Sequence, residues 1–192
     1  FDAIEVFSGD HYANLSEVWW VMRDWFALLE VGLEYTATGN SDSHKLSYQE
    51  AGLPRNWVAM ADDRPLKFDE KAFVAAVRDR HVVVSSGPFI RFTANGKQIG
   101  DDVSPGKLEL SIQVAAAGWI DVSSVMLINR GHVVRRWAVT EKQTRPRFVK
   151  TLAYDAKPGD WLIVVAEGDK AMKPLYRGRA KPFAFTNPIH VR

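Results

Sequence analysis

Two spacings of apolar residues divide this chain of 192 residues. Early in the chain, apolar side chains recur every three or four positions, which is the spacing of one face of an α-helix. These positions are Leu15, Val18, Trp19, Met22, Trp25, Phe26 and Leu29. Asn14 is a suitable N-cap with Glu17 three positions later, and Gly32 is a suitable stop. With a β-prone run on each side, residues 3–38 are predicted to form a strand–helix–strand unit of a parallel sheet or barrel.

A second helix is predicted over residues 70–80. Asp69 is its expected N-cap, and Phe68 and Phe73 stand at the positions of a hydrophobic staple. Residues 45–68, which lead to this helix, have no regular apolar spacing and contain Pro54 and Pro65. An irregular connection of this length within a compact domain more often has a function of its own than merely joins two elements.

Helical spacing ends at residues 86–88, and short β-prone runs follow. Turn signals such as Asn95-Gly96 and Pro158-Gly159 separate these runs. Six runs are expected to be strands: residues 89–94, 108–115, 125–129, 133–139, 148–152 and 161–166. Strands at this spacing predict an antiparallel, immunoglobulin-like β-sandwich over residues 88–192.

The composition suits a chain that buries a substantial core, since 46% of its residues are hydrophobic. The absence of cysteine excludes disulfides and thiolate metal sites. No apolar run approaches the roughly 20 residues of a membrane span, so no membrane span is expected.

Charge is divided unevenly along the chain. Residues 1–87 contain 8 Lys and Arg against 14 Asp and Glu, whereas residues 88–192 contain 17 against 9. The acidic part suits a cation site and the basic part a polyanion, although solvated surface charge explains the same asymmetry. The basic residues lack the interleaved aromatic residues of a nucleic-acid module, so no nucleic-acid partner is expected.

The stretch of residues 35–44 carries the strongest chemical signal. A short β-prone run ends in Gly39-Asn40-Ser41, and Asp42 and His44 follow two residues apart. Side chains at positions i and i+2 of an extended segment point to the same side, so both groups can face one pocket. A carboxylate oxygen and a neutral imidazole nitrogen are ligands that Zn²⁺, Mn²⁺ and Fe²⁺ accept. The pattern indicates a divalent metal site at the carboxyl end of a strand.

This stretch resembles the last metal-binding motif of the PHP (polymerase and histidinol phosphatase) superfamily of metal-dependent hydrolases. More narrowly, it is similar to the bacterial branch of CehA/McbA-like (carbaryl-hydrolase-like) enzymes. Further segments match that branch in character: residues 2–7, 25–32, 52–58, 86–89 and 185–189. The resemblance spans nearly the whole chain, but only Asp42 and His44 are specific to the chemistry.

The resemblance implies a fold and an activity. It implies that residues 1–87 are the carboxyl-terminal portion of a PHP-type (β/α) barrel and that residues 88–192 form a β-sandwich domain. It also implies a metal-dependent hydrolase of phosphoesterase type. Such an enzyme would use Zn, Mn or Fe ions on a small-molecule ester or phosphoester, with Asp42 and His44 among the metal ligands.

The chain departs from the PHP pattern in its histidines. PHP enzymes begin with His-x-His and gather further ligands from several strands, whereas none of the five histidines here forms His-x-His. We therefore expect the carboxyl-terminal part of a larger protein, inactive and without bound metal when isolated. The strand edges of a divided barrel are expected to cause self-association. A signal peptide in the missing part would place the protein in the periplasm or outside the cell.

Other residues near the predicted motif have two interpretations each. Glu5 lies mid-strand among apolar neighbours, where a carboxylate is costly unless it is paired or near a metal. His11 either reaches the barrel mouth or stabilises a surface loop. Asn40 and Ser41 are expected to shape the turn and to support the ligands rather than bind metal directly.

Arg55 either binds an anionic substrate group or pairs with Asp62 or Asp63. Thr186-Asn187-Pro188 is interpreted as a fixed turn with a structural role. An alternative function remains open for the whole chain: a binding or packing module in which the β-sandwich engages a polymer or protein partner.

Overall fold

Three layers of secondary structure stack in this protein. A computed structural model describes residues 1–9, 14–45, 47, 49–62, 64–140, 145–173 and 180–192. The first layer is a strand–helix–strand unit, the second an eight-stranded sheet and the third a four-stranded sheet. Apolar side chains fill the spaces on both sides of the middle sheet.

The elements are distributed unevenly over the layers. The first layer contains β1 (Ala3–Ser8), α1 (Leu15–Glu30) and β2 (Thr36–Asn40). The eight-stranded sheet contains β3 (Arg55–Val58), β4 (Val82–Ser85), β7 (Asp102–Val103), β9 (Ser124–Asn129), β10 (His132–Ala138), β12 (Trp161–Glu167), β13 (Phe183–Thr186) and β14 (Ile189–Val191). The four-stranded sheet contains β5 (Phe89–Ala94), β6 (Lys97–Gln98), β8 (Gly106–Ala115) and β11 (Phe148–Ala156). Between β3 and β4 the chain forms a 3-10 turn (Pro65–Lys67) and α2 (Glu70–Arg78).

The first helix begins where the sequence predicts. The Asn14 side chain accepts a hydrogen bond from the backbone N–H of Ser16 and donates one to Glu17 at 2.7 Å. The chain leaves the helix at Gly32, whose φ of +80° suits glycine. The buried face of α1 packs on the middle sheet through Val18, Met22, Trp25, Phe26 and Leu29. The prediction of α1 is confirmed.

The second helix is confirmed as well, although it ends two residues earlier than predicted. The Asp69 carboxylate accepts hydrogen bonds from the backbone N–H groups of Lys71 and Ala72. The rings of Phe68 and Phe73 lie 5.5 Å apart, as a hydrophobic staple requires. Neither described helix is long and apolar enough to cross a membrane.

The central strand β12 separates two apolar cores. Alternate side chains of a strand point to opposite faces, and here both faces are buried. Leu162, Val164 and Ala166 face the four-stranded sheet, whereas Ile163 and Val165 face α1 and the β1–β2 pair. The neighbouring β9 alternates in the same way. The middle sheet is therefore the common wall of both cores.

The four-stranded sheet closes the core on the far side. In β8 the side chains of Leu108, Leu110, Ile112 and Val114 are buried, whereas the positions between them are not. The six strands predicted in the second part of the chain correspond to β5, β8, β9, β10, β11 and β12.

The prediction of a partial PHP-type (β/α) barrel over residues 1–87 is wrong. Among the residues described, parallel pairing joins β1 to β2 and β7 to β14 only, and the sheets do not close into a barrel. After β2 the chain enters an irregular stretch and returns as β3, which pairs antiparallel with β4. A strand–helix–strand pattern is common to every α/β unit, so it does not specify the element that comes after β2.

Strands from both sides of residue 87 share the middle sheet, because β4 pairs with β13. A domain boundary at this residue stays a prediction. Self-association also stays a prediction. The edges of a divided barrel no longer support it, because the chain does not form part of a barrel.

His190 in β14 is buried among charged groups. Its side chain is 8% exposed, and Nε2 lies 3.9 Å from the Glu34 carboxylate. Arg80 and Arg192 also pair with Glu34, and Arg192 pairs with Asp102. Burial has the largest effect and lowers the pKa of His190 below its ordinary value; Glu34 opposes this lowering, and Arg192 adds to it.

We expect acid to destabilise the folded chain through His190. Above the ordinary pKa of 6.5, the ring is neutral in both states and the full stability is present. Below that pH the unfolded chain takes up a proton that the folded chain resists, so the free energy of unfolding falls. Urea unfolding at about pH 7.5 and about pH 5.5 measures this loss. His190→Gln should lose less free energy over this interval than the wild type.

The matched control for this measurement is His132→Gln, which changes an exposed ring on β10. The loss of free energy in this variant should be closer to the loss in the wild type than the loss in His190→Gln is. An equal loss in the wild type and in His190→Gln would contradict the prediction.

Candidate functional site

The edge of β2 that faces away from β1 is hydrogen-bonded to side chains. The backbone N–H of Thr36 donates toward β1, to the carbonyl of Asp2. Successive residues of a strand direct their N–H and C=O groups to opposite sides, so Ala37 and Gly39 face the other way. There the Asn187 carboxamide accepts from the N–H of Ala37 at 2.8 Å and donates to its carbonyl at 3.0 Å. The Asn56 carboxamide does the same for Gly39, at 2.9 Å in both directions.

These two carboxamides take the place of a neighbouring strand, because each offers one donor and one acceptor as a peptide group does. Asn187 is fully buried and donates in addition to the carbonyl of Val82 in β4. Asn56 belongs to β3. The parallel pair β1–β2 is thereby fixed to the edge of the middle sheet, with its carboxyl end beside β3.

Two glycines allow this end of the unit to pack closely. A Cβ atom on Gly39 would lie 2.4 Å from a methyl carbon of Val84. A Cβ atom on Gly9 would lie 1.9 Å from the carbonyl oxygen of Ser41. The end of β1 therefore touches the segment that leaves β2, and larger residues at either glycine would push it away.

Asn40 connects the strand ends by its side chain. Its Nδ2 donates to the Glu5 carboxylate at 2.5 Å, and its Oδ1 accepts from Asn56 at 3.2 Å. Glu5, Asn40 and Asn56 thus form a chain of polar groups across the ends of β1, β2 and β3. This arrangement satisfies the Glu5 carboxylate by a hydrogen bond.

Asp42 and His44 meet in a turn after β2. Asp42 has a φ of +47°, in the left-handed region that Asp tolerates better than most residues. His44 Nδ1 lies 2.7 Å from the backbone carbonyl oxygen of Asp42 and 3.5 Å from its carboxylate. The backbone N–H groups of His44 and Lys45 both donate to the side-chain oxygen of Gln49, which fixes the turn.

The contact with the carbonyl decides the tautomer of a neutral His44. A carbonyl oxygen only accepts hydrogen bonds, so Nδ1 must carry the proton and Nε2 must carry the lone pair. The ring is 69% exposed and the Asp42 side chain 41% exposed. His44 Nε2 is therefore available to a ligand, whereas the Asp42 carboxylate stands on the Nδ1 side of the ring.

An open cleft of about 530 Å³ adjoins this turn. Its lining comes from the end of β2, the following irregular stretch, β3 and the start of α2: Gly39, Asn40, Ser41, Gly52, Pro54, Arg55, Asn56, Val58, Met60, Asp62, Arg64, Pro65, Phe68 and Phe73. Arg64 donates to both Asp62 oxygens, at 2.8 and 2.5 Å. This hydrogen bonding lowers the pKa of Asp62 below its ordinary value and raises that of Arg64. The Asp62 carboxylate is thus paired with Arg64. Arg55 lines the same cleft.

The structure brings most of the predicted site residues to one end of the first layer. Asn40, Ser41 and Arg55 line the cleft, Glu5 bonds to Asn40, and Asp42 and His44 follow Ser41 in the turn: a set made of Glu5, Asn40, Ser41, Asp42, His44 and Arg55. His11 and Asp63 lie outside the described residues. Within the described part of the chain, no group of three or more His, Cys, Asp or Glu side chains is placed to hold a metal ion.

The role of Asn56 was not predicted from the sequence. Asparagine is uncommon in β-strands. Its presence inside a β-prone run is the sequence signal that could have indicated the role of Asn56. Asn187 was interpreted as structural, and its hydrogen bonds to Ala37 and Val82 give that role a location.

Comparison with protein-family models, with curated proteins and with solved structures gives no match for this chain.

Asn187→Ala should destabilise the fold strongly. It would leave the N–H and C=O of Ala37 buried without their partner, and the C=O of Val82 would keep only the backbone N–H of residue 187, at 3.2 Å. We expect a loss of about 3–5 kcal/mol in the free energy of unfolding, measured by urea denaturation. Asn14→Ala, which removes an exposed helix cap, should cost about 1 kcal/mol. Equal losses in the two variants would show that the carboxamide of Asn187 does not hold β2.

Proposed function

We propose that this chain is part of a metal-dependent hydrolase of phosphoesterase type, acting on a small-molecule ester or phosphoester. The single observation that carries the proposal is the hydrogen bond that fixes His44. Nδ1 is held by the Asp42 carbonyl at 2.7 Å, which leaves Nε2 as the metal-binding nitrogen of an exposed ring. Histidine ligands in metal sites commonly have their second nitrogen fixed in this way. The resemblance of residues 35–44 to the PHP motif supports the same assignment.

Asp42 has a different role from His44 in this proposal. Its carboxylate lies 3.5 Å from Nδ1, on the side of the ring opposite to Nε2. Both groups could bind one ion only after the imidazole turns. We assign His44 as the direct ligand and Asp42 as the residue that orients the ring, through its backbone carbonyl and its carboxylate. If Asp42 were itself a direct ligand, replacing its carboxylate would remove metal binding as completely as replacing His44.

The neighbouring cleft is the proposed substrate site. A divalent ion held at His44 would lower the pKa of water and polarise a phosphoryl or carbonyl oxygen. Arg55 lines the cleft, and its planar guanidinium suits an anionic substrate group. Asn40 fixes the Glu5 carboxylate at the same end of the strands. Arg55 supports a substrate with a negative charge, and the ester or phosphoester class is what the resemblance to the PHP superfamily implies.

We propose that the isolated chain is inactive. One imidazole supported by one carboxylate holds a divalent ion weakly, and such an ion keeps most of its water. Zn, Mn and Fe are the candidate metals, because imidazole and carboxylate suit all three.

Zinc titration tests the assignment of His44. The wild-type chain should bind Zn²⁺ with a dissociation constant of about 10 μM or weaker, and His44→Ala should remove saturable binding. Asp42→Asn keeps the backbone carbonyl that holds Nδ1 and removes only the carboxylate, so it should weaken binding by about tenfold or less. A loss as complete as that of His44→Ala would instead make Asp42 a direct ligand. Isothermal titration calorimetry gives all three values.

Two control variants accompany this titration. His132→Ala and Asp155→Ala each remove an exposed group on a strand of the sandwich, and neither should change zinc binding. Zinc binding that survives in His44→Ala would overturn the proposal. The binding-module alternative expects no dependence on metal, so the same data separate the two functions.

Turnover tests the hydrolase assignment. The isolated chain should cleave p-nitrophenyl phosphate at the background rate with Zn²⁺ or Mn²⁺ present. In a longer protein that contains this chain and is active, His44→Ala or Asp42→Ala should lower kcat by about 100-fold or more. Both variants should keep the wild-type circular dichroism spectrum, because both side chains are exposed. Unchanged turnover in both variants would contradict a catalytic role for the turn.

A further inference from the structure

A second cavity opens between the two sheets, at the side of the sandwich formed by β3 and β5. This inter-sheet groove, lined by Trp57, Val83, Phe89, Ile90, Arg91 and Phe92 among others, has a volume of about 350 Å³. It lies apart from Asp42 and His44, which are absent from its lining. The volume falls in the range of small-molecule sites in proteins, about 300–1,000 Å³.

The groove is open because the strand edges on its two sides are only partly paired. β3 is the last strand at its end of the eight-stranded sheet. On the opposite sheet, β6 pairs with β5 at Thr93 and Ala94, beyond the first four residues of β5. In the described part of the chain, no strand therefore covers this stretch of β5 on the side of β6.

The walls of the groove are apolar and partly aromatic. Val83, Ile90 and Phe92 are buried and belong to the core between the sheets. Trp57 stands at the rim with 46% of its surface exposed. Its ring lies 5.5 Å from the ring of Phe89 in an edge-to-face arrangement. An exposed Trp beside an apolar cavity offers a flat face on which another ring can stack.

The charge of the groove is positive. Arg91 projects from β5 with its guanidinium 5.9 Å from the centre of the Phe89 ring. As far as the structure describes it, the lining contains no carboxylate, and Arg91 forms no ion pair among the described residues. The other ionisable side chain of the lining, His81, lies 3.3 Å from Asp101. Arg91 is thus the group in the groove that can receive an anion.

We propose that the inter-sheet groove binds a small planar aromatic anion, with one or two fused rings against Trp57 and Phe89 and a carboxylate on Arg91. The apolar walls receive the ring, and the guanidinium receives the charged group. Size, aromatic rim and charge all point to this class of ligand. The proposal does not depend on metal binding at His44.

Binding of 2-naphthoate, followed by isothermal titration calorimetry, tests the site. The wild-type chain should bind one equivalent with a dissociation constant of roughly 0.1 mM. Trp57→Ala should weaken binding by about tenfold, whereas Trp57→Phe, which keeps a ring, should stay within about threefold of the wild type. Trp20→Ala removes an exposed Trp on α1 and should change nothing.

A neutral ligand of the same shape separates stacking from charge. Arg91→Gln should weaken 2-naphthoate by about fivefold and leave 2-naphthalenemethanol unchanged. Arg91 is exposed, so this variant remains informative if Trp57→Ala fails to fold. Asp42→Ala should bind 2-naphthoate as the wild type does, which keeps the result independent of the proposed metal site. Absence of saturable binding, or equal binding by Trp57→Ala, Arg91→Gln and the wild type, would overturn the proposal.

Discussion

Hydrogen bonds from two carboxamides to the backbone of β2 hold the first layer against the middle sheet. Asn56 binds Gly39 and Asn187 binds Ala37, so alternate peptide groups along one edge of β2 are satisfied without a neighbouring strand. A buried peptide group without a partner costs as much as a lost hydrogen bond. This constraint fixes where β2 ends, and Asn40 and the turn with Asp42 and His44 follow directly from that position.

The candidate site combines rigid and exposed parts. Gly9 and Gly39 let the backbone segments touch, and Asn40 ties Glu5 to Asn56 across three strand ends. His44, by contrast, stands on an exposed turn that Gln49 fixes through backbone N–H groups. Positioned groups on loops that a rigid scaffold supports are a common arrangement for binding and catalysis.

Local information in the sequence was sufficient for both helices and for the longer strands. It was not sufficient for β3, which lies in the stretch expected to be irregular, or for the neighbours of each element. The spacing of apolar residues, the Asn14 cap and the Gly32 stop predict α1, and alternation predicts β8. The partner of β2 is set by Asn56 and Asn187, which lie 17 and 150 residues from the peptide groups that they bind. Carboxamide side chains that take the place of a strand leave no periodic pattern in the sequence. The sequence therefore contained no signal against the predicted barrel. The pairing of Asp42 with His44 was expected from an extended segment, whereas a left-handed residue at Asp42 brings them together.

The double burial of β12 has a consequence for how the protein unfolds. Leu162 and Val164 belong to one core and Ile163 and Val165 to the other, along the continuous register that β12 shares with β9. Loss of this strand would remove a wall from both cores at once, so neither core can melt while the other stays intact. Both cores are expected to disappear in one cooperative transition, because local openings are confined to parts whose loss leaves the remaining packing unchanged.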